Sequence, residues 1–145
     1  MLGVVFGILL VSQGCKKKSG PGETVEDIQL KKLSKTWSAT SVKLDNVDQT
    51  GYDNFALTIS GTAGSTTFGY SVTGRPTLSP WLSSGDWKFG ASPETQIIRD
   101  PNTGDELDMT YSVTDTQLEI NFNFTGEGYG GRVSNVGGQW VFTFQ

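Results

Sequence analysis

The chain contains no histidine and a single cysteine, Cys15, among its 145 residues. These shortages exclude intrachain disulfides, His- and Cys-based zinc sites, Ser-His-Asp triads and Cys-His pairs. The sequence also contains no nucleophile elbow, no phosphate-binding loop and no internal repeat. We therefore predict that the protein is not an enzyme and uses no cofactor or metal.

Charge is scarce and unevenly placed. Residues 1–36 hold six lysines and three acidic residues, a balance of +3, whereas residues 37–145 hold five Lys or Arg and twelve acidic residues, a balance of −7. Nucleic-acid binding requires a basic face that neutralises phosphate. The acidic second part therefore predicts that nucleic acid is not a partner.

Alternating apolar residues are the strongest positive signal in the chain. From 107 to 124 they occupy every second position on both sides of a polar break at 114–117. Period two is typical of strands with one buried and one solvated face, and it predicts an antiparallel hairpin whose register is strongly specified. The predicted pairs are Val113 with Leu118, Tyr111 with Ile120, Met109 with Phe122 and Leu107 with Phe124.

Similar alternation predicts eight strands in total. Their approximate bounds are 37–44, 54–60, 66–73, 86–90, 95–99, 107–114, 117–125 and 138–144. All the connections have hairpin length, so the simplest topology is a meander of neighbouring antiparallel strands.

In a meander, successive loops alternate between the two ends of the sheet. The predicted loops at 45–53, 74–85, 100–106 and 126–137 are long, and those between them are short. One end is therefore expected to be tight and the other elaborated.

A short helix is predicted over about 24–34, before the first strand. Thr24 can cap it, and Val25, Ile28, Leu30 and Leu33 provide a narrow apolar stripe. We expect this helix to cover the tight end.

The first residues have the pattern of an export signal. A ten-residue apolar run, 2–11, is too short to span a bilayer, and it leads to Ser12-Gln13-Gly14-Cys15, which resembles a bacterial lipobox. The resemblance implies a signal peptide over 1–14, a lipidated Cys15 with a flexible tether over 15–23, and a folded domain over 24–145. Acyl chains on Cys15 would anchor the protein in a lipid bilayer, beside the basic segment 16–18.

Several segments resemble a known family. The segment Leu33-Ser34-Lys35-Thr36-Trp37 looks like the opening of lipocalin-like barrels, and the segments 80–89, 111–113 and 138–142 are similar to small lipocalin-like lipoproteins of Gram-negative bacteria. The resemblance implies an all-β fold, an eight-stranded antiparallel up-and-down barrel with a short N-terminal helix at its closed end. It also implies an outer-membrane-anchored lipoprotein, on the periplasmic or cell-surface face.

Such a barrel is either filled by side chains or holds one small apolar ligand. The number of Phe and Trp side chains that point inward favours a mostly filled interior. The candidate ligand-binding residues lie on the long loops: Tyr52, Arg75, Trp81, Tyr129 and Arg132.

Each candidate has an alternative interpretation. Trp81, on the loop 74–85, can stack on a sugar or guard an apolar opening, but such a residue more commonly folds back as a plug on the core. The glycine-rich loop 126–138, with Tyr129 and Arg132, suits recognition or merely mobility. The segment 100–106 has oxygen ligands at alternate positions, as calcium loops do, yet its Pro-Asn-Thr-Gly sequence favours a simple turn.

The leading hypothesis is a non-enzymatic, membrane-anchored lipoprotein whose domain binds a small apolar or glycan ligand or an envelope protein at its long-loop end. Three alternatives stay open at this point. The protein could be a structural or assembly subunit of an envelope complex that binds through its acidic outer face, a glycan-binding accessory module, or a glycan-cleaving enzyme with paired carboxylates, although nothing in the sequence selects a pair.

Overall fold

The computed structural model describes residues 22–126 and 136–145. The predicted leader and residues 15–21 of the predicted tether, with Cys15, lie outside these residues, as do Tyr129 and Arg132. The elements within the described ranges are α1 (Val25–Leu33), β1 (Thr36–Leu44), β2 (Val47–Asp48), β3 (Ala56–Ser60), β4 (Phe68–Thr73), β5 (Ser84–Phe89), β6 (Gln96–Arg99), β7 (Leu107–Val113), β8 (Leu118–Phe124) and β9 (Gly138–Phe144).

The predicted fold class is confirmed. Strands β1 and β3–β9 form an antiparallel meander, and pairing of β1 with β9 closes it into an eight-stranded barrel. Strand β1 closes the barrel because its two halves pair with different strands. Thr36–Ser38 pair with β3, and Ala39–Leu44 pair with β9, with a register shift between Ala39 and Ser41. Closure leaves the main sheet with no free edge strand along most of its perimeter.

The two-residue strand β2 was not predicted. It folds back on the end of β1 through Asp45 and Asn46, whose φ angles are 49° and 66°. Positive φ at both central residues defines a type I′ turn, which Asp and Asn tolerate better than most residues. The Asp45 carboxylate then accepts a hydrogen bond from the Gln139 main-chain N–H at 2.8 Å, which ties this turn to the start of β9.

Helix α1 begins with the cap expected for it. The Thr24 side chain accepts a hydrogen bond from the Asp27 main-chain N–H, and the Asp27 side chain accepts one from the Thr24 N–H, which together form a capping box.

The buried face of α1 differs from the predicted stripe. Leu30 and Leu33 are buried, but Val25 and Ile28 are 42% and 40% exposed, and Gln29 is buried instead. The side-chain amide of Gln29 lies 3.3 Å from the hydroxyl of Tyr111 on β7. A polar contact therefore helps to select the buried face of α1, and hydrophobic periodicity does not reveal such a contact.

The predicted register of the β7–β8 hairpin is confirmed where the two strands pair. Val113 lies opposite Leu118 and Tyr111 opposite Ile120, and the ladder ends at the pair of Thr110 and Asn121. The two further predicted pairs, Met109 with Phe122 and Leu107 with Phe124, are not hydrogen-bonded ladder pairs in the described residues.

The loops divide between the two ends as the meander requires. One end, which we call the mouth, carries the connections 45–55, 74–83 and 100–106, and β8 ends and β9 begins there. The opposite end, the tight end, carries 61–67, 90–95 and 114–117 together with α1. The predicted contrast in loop length is weaker than expected, because 61–67 at the tight end is as long as 100–106 at the mouth.

The barrel interior is filled by side chains from every strand except β2. Trp37, Leu118, Ile120 and Phe142 are all at most 1% exposed. A cavity inside the described part of the barrel has a volume of about 20 Å³, close to the size of one water molecule. It is lined by Leu33, Leu57, Ile59, Tyr70, Trp81, Trp87, Ile97, Arg99, Met109 and Ile120.

Candidate functional site at the barrel mouth

Trp81 closes the mouth from the loop between β4 and β5. Its side chain is 2% exposed, and its ring lies 5.7–6.3 Å, centroid to centroid, from four aromatic rings of the core, mostly edge to face. Edge-to-face contacts add to the free energy gained from burial. The four rings belong to Phe55, Tyr70, Phe122 and Phe142. Trp81 therefore folds back as a plug on the core, and its ring is not exposed for stacking on a sugar.

Two arginines hold the main chain of this loop. Arg99 Nη1 donates to the Pro80 carbonyl, and Arg75 Nη1 donates to the Trp81 carbonyl, each at 2.7 Å. The Ser79 hydroxyl accepts a hydrogen bond from the Trp81 main-chain N–H at 3.2 Å. Hydrogen bonds from a charged donor are stronger than neutral ones, so the plug is fixed through its backbone as well as its ring.

Arg99 lies inside the barrel. It is 1% exposed, its guanidinium carbon lies 5.2 Å from the centre of the Trp81 ring, and its Nε lies 3.2 Å from Asp100 Oδ2. A buried guanidinium is tolerated only when a carboxylate and hydrogen bonds compensate for lost hydration. Arg99 thus joins the plug loop to the connection between β6 and β7.

Both oxygens of the Asp100 carboxylate accept hydrogen bonds from other parts of the barrel. Its Oδ2 accepts a hydrogen bond from the Tyr70 hydroxyl at 2.8 Å, and its Oδ1 accepts one from the Asp86 main-chain N–H at 3.2 Å. It can approach β5 this closely because residue 85 is glycine, since a Cβ on Gly85 would lie 1.9 Å from Asp100 Oδ1. We call Tyr70, Gly85, Arg99 and Asp100 the mouth network.

Tyr52 packs beside the plug from the first mouth loop. Its side chain is 6% exposed, and its ring contacts Phe55, Trp140 and Phe142 with centroids 5.4–6.1 Å apart. Burial raises the pKa of the Tyr52 hydroxyl to about 12. The hydroxyl is therefore neutral at physiological pH.

Three of the five candidate ligand-binding residues are thus brought together, but as parts of a closure. Tyr52 and Trp81 share contacts with the same core rings, and Arg75 binds the Trp81 carbonyl. Stacking on a sugar requires an exposed ring face, which neither aromatic residue offers in this conformation. Tyr129 and Arg132, the other two candidates, fall outside the described residues.

The sequence pattern does not predict the mouth network. It places Arg99 at the end of a strand and Asp100 in the turn that follows. The available signal was alternation, because Ile97 and Arg99 share the inward face of β6, and a charged residue at an inward position requires a buried partner.

The connection after β6 forms a turn closed by its own hydrogen bonds. The Thr103 hydroxyl donates to the Asp100 carbonyl at 2.7 Å, and the Glu106 carboxylate accepts from the Asn102 main-chain N–H at 2.6 Å. Across residues 22–126 and 136–145, no group of three or more His, Cys, Asp or Glu side chains is arranged to hold a metal ion. The turn interpretation of 100–106 therefore agrees with the geometry.

A second buried tyrosine lies at the tight end. The Tyr111 hydroxyl donates to the Pro93 carbonyl, which links β7 to the connection before β6. Burial raises the pKa of Tyr111, and the nearby negative charge of Glu94 raises it further. The role of this residue is to dock α1 and the 90–95 connection on the barrel.

No helix within the described ranges is long and apolar enough to cross a membrane. Comparison with protein-family models, with curated proteins and with solved structures found no match to this chain. The function must therefore be inferred from the geometry of the chain itself.

Proposed function

We propose that this protein is a non-enzymatic, lipid-anchored, lipocalin-like envelope protein that binds a partner protein with the exterior of its barrel. The observation that carries the proposal is the filled interior, because a cavity of about 20 Å³ accommodates no ligand larger than water. Binding by this conformation therefore uses the outside of the barrel.

The topology supports an orientation for this binding. The described chain enters through α1 at the tight end, and the connections 45–55 and 74–83, the longest within the described residues, lie at the mouth. Cys15 precedes the helix by only a short tether, so acylation there would turn the tight end toward the lipid and the mouth away from it.

Fatty-acid labelling tests the anchor. We expect wild-type protein expressed with its leader in a Gram-negative host to incorporate radioactive palmitate and to fractionate with membranes, and Cys15→Ala to lose both properties. Cys15→Ser serves as the size-matched control and is expected to behave like Cys15→Ala. Equal labelling of all three proteins would refute the anchor.

Site-specific photo-crosslinking tests the partner and its position. A crosslinking amino acid at exposed mouth positions, Asp53 and Asn102, is expected to capture one discrete envelope protein, whereas the same group at Thr116, exposed at the tight end, is not. Equal capture from Thr116 would contradict the orientation, and no discrete product from any position would contradict the partner.

A second candidate function is binding of a small apolar ligand inside the barrel after the Trp81 loop opens. One observation favours it: the buried Trp81 Nε1 has no hydrogen-bond acceptor among the described residues, which costs roughly 1–3 kcal/mol and would be relieved outside the barrel. A fluorescent fatty acid probe is expected to bind wild-type protein and change Trp emission in this case. Absence of saturable binding would eliminate this candidate.

A further inference from the structure

Strands β7 and β8 separate toward the mouth. They pair from Thr110–Val113 to Leu118–Asn121, and the ladder stops there. Beyond this point residues 107–109 remain paired with β6, and residues 122–124 remain paired with β9. The edges formed by residues 107–109 and 122–123 therefore face each other without ladder pairing within the described part of the chain.

The identity of the missing pair follows from the alternation of main-chain direction. The Tyr111 N–H donates toward β6, to the residue just before that strand, at 2.9 Å. Consecutive residues of an antiparallel strand direct their main-chain groups to opposite neighbours, so Thr110 and Asp108 direct theirs toward β8. The ladder pair that would follow Thr110 and Asn121 is Asp108 with Asn123, and this pair is not formed.

A groove has residues of both edges in its lining, together with residues 90–91 and 96–98 on the other side of β7. It has a volume of about 520 Å³ and opens to solvent, a size typical of binding sites. Its lining contains several amide side chains and one carboxylate, that of Asp108, and neither Lys nor Arg. The lining residues are Gly90, Ala91, Gln96, Ile97, Ile98, Asp108, Met109, Thr110, Asn121, Phe122, Asn123 and Gln139.

We propose that this groove, which we call the β7–β8 groove, binds an extended peptide segment of a partner protein, with a Lys or Arg of that segment near Asp108. This inference deepens the proposed function, on which it rests, by naming the docking surface. Main-chain N–H and C=O groups at an unpaired strand edge recognise another strand through the same hydrogen bonds that build a sheet.

The composition of the groove matches a peptide in two ways. Side-chain amides of Asn121, Asn123 and Gln139 can both donate to and accept from a peptide main chain. The only charge in the lining is negative, in a domain that is acidic as a whole, and this favours a basic segment and a salt-dependent association.

Amide hydrogen exchange of the full-length protein tests the inference. The Asp108 and Asn123 amides are expected to exchange much faster than the Thr110 and Asn121 amides, which form the last hydrogen-bonded pair. An acetylated octapeptide of alternating Thr and Lys, added at millimolar concentration, is expected to slow exchange at Asp108 and Asn123 at least tenfold. Slow exchange at both amides without peptide, or no slowing with peptide, would overturn the inference.

Proline substitutions separate edge recognition from side-chain binding. Asp108→Pro and Asn123→Pro each remove a main-chain N–H group that makes no ladder bond, and also the side chain, so each is compared with Asp108→Ala or Asn123→Ala, which loses the side chain alone. We expect each proline variant to bind peptide about tenfold or more weakly than its alanine counterpart, the equivalent of one lost hydrogen bond of about 1.4 kcal/mol, and equal binding of the two would contradict main-chain recognition. Ser112→Ala, an exposed residue of β7 outside the groove lining, is the control and should bind normally. Folded proline variants that bind with wild-type affinity would refute strand-like docking.

A charge variant keeps the inference falsifiable if the proline variants do not fold. Asp108→Asn retains the main-chain donor, so we expect peptide binding that is several-fold weaker and that decreases less steeply with added salt. Unchanged salt dependence would contradict the preference for a basic segment. Slower exchange of the Asp108 and Asn123 amides with a neutral tetrasaccharide, but not with the peptide, would mean that the groove binds a sugar and not a peptide. Because these measurements use neither lipid nor partner, their outcome is independent of the labelling and crosslinking results.

Discussion

Gly85 is the residue on which the buried ion pair depends most directly. A Cβ at this position would lie 1.9 Å from Asp100 Oδ1 and 2.8 Å from the Tyr70 ring, so Gly85→Ala must displace the Asp100 carboxylate and leave Arg99 without its partner. Breaking a buried pair costs roughly 3–5 kcal/mol. We expect the free energy of unfolding, measured by urea denaturation, to fall by about that amount.

Gly104 provides the matched control for this substitution. A Cβ there meets no atom within 4 Å, so Gly104→Ala should change stability by no more than about 0.5 kcal/mol. Similar losses for both variants would show that the close approach of Asp100 to β5 does not matter for stability.

The raised pKa of Tyr52 predicts that the free energy of unfolding decreases at alkaline pH. Its pKa is about 12 in the folded protein against an ordinary value of 10.0, so the folded state retains a proton that the unfolded state releases. This contribution to stability is fully present below pH 10 and is lost as pH rises from 10 toward 12. Two pKa units correspond to about 2.7 kcal/mol.

The comparison that isolates this contribution is between wild type and Tyr52→Phe. The stability of wild type should decrease more steeply between pH 10 and pH 12, because the variant has no proton to lose at this position. Parallel pH profiles from denaturation in this range would contradict the raised pKa of Tyr52.

At the scale of elements, the connection between β4 and β5 functions as part of the core although it has no regular structure. Trp81→Ala removes four ring contacts, and we expect a loss of about 3–5 kcal/mol, typical of large-to-small core substitutions. The apolar space left behind should take up benzene, as engineered apolar cavities do. Benzene should therefore raise the melting temperature of Trp81→Ala but not of wild type, and an equal response would mean that the site had collapsed.

Strand β6 lies where its sequence pattern predicts, but its inner face contains a buried charge. Ile97 and Arg99 both lie on the inner face of β6, and Arg99 can be buried there because Asp100 and the Pro80 carbonyl lie within reach. Hydrophobic periodicity locates the strand and its inner face. It does not reveal that the inner face can hold a charge, because the groups that stabilise the Arg99 guanidinium, the Asp100 carboxylate and the Pro80 carbonyl, lie outside β6.

At the scale of the whole molecule, α1 and the barrel share one core, since Leu33 is fully buried and lines the interior cavity. Leu33→Ala should lower the free energy of unfolding by about 2–5 kcal/mol. Far-ultraviolet circular dichroism and Trp fluorescence should give coincident transitions, as expected for one cooperative unit. Ile28→Ala on the exposed face of α1 is the control, and separate melting of helix and barrel would contradict a shared core.

The sequence by itself determined the number, order and approximate bounds of the barrel strands, the capped helix before them and the register of the β7–β8 hairpin. These features depend on local chemistry, since period-two alternation, turn residues and a capping threonine act over a few positions. The resemblance of Cys15 to a lipidation site is also local, and it stays a prediction.

Only the tertiary structure decided what happens at the mouth and along the β7–β8 groove. Trp81 is a plug because Arg75 and Arg99 lie where its loop passes, and the Asp108–Asn123 pair is missing because each strand follows its other neighbour. Both outcomes depend on distances between residues far apart in the chain. Side-chain burial and strand separation are set by all neighbours at once, and no short stretch of sequence contains that information.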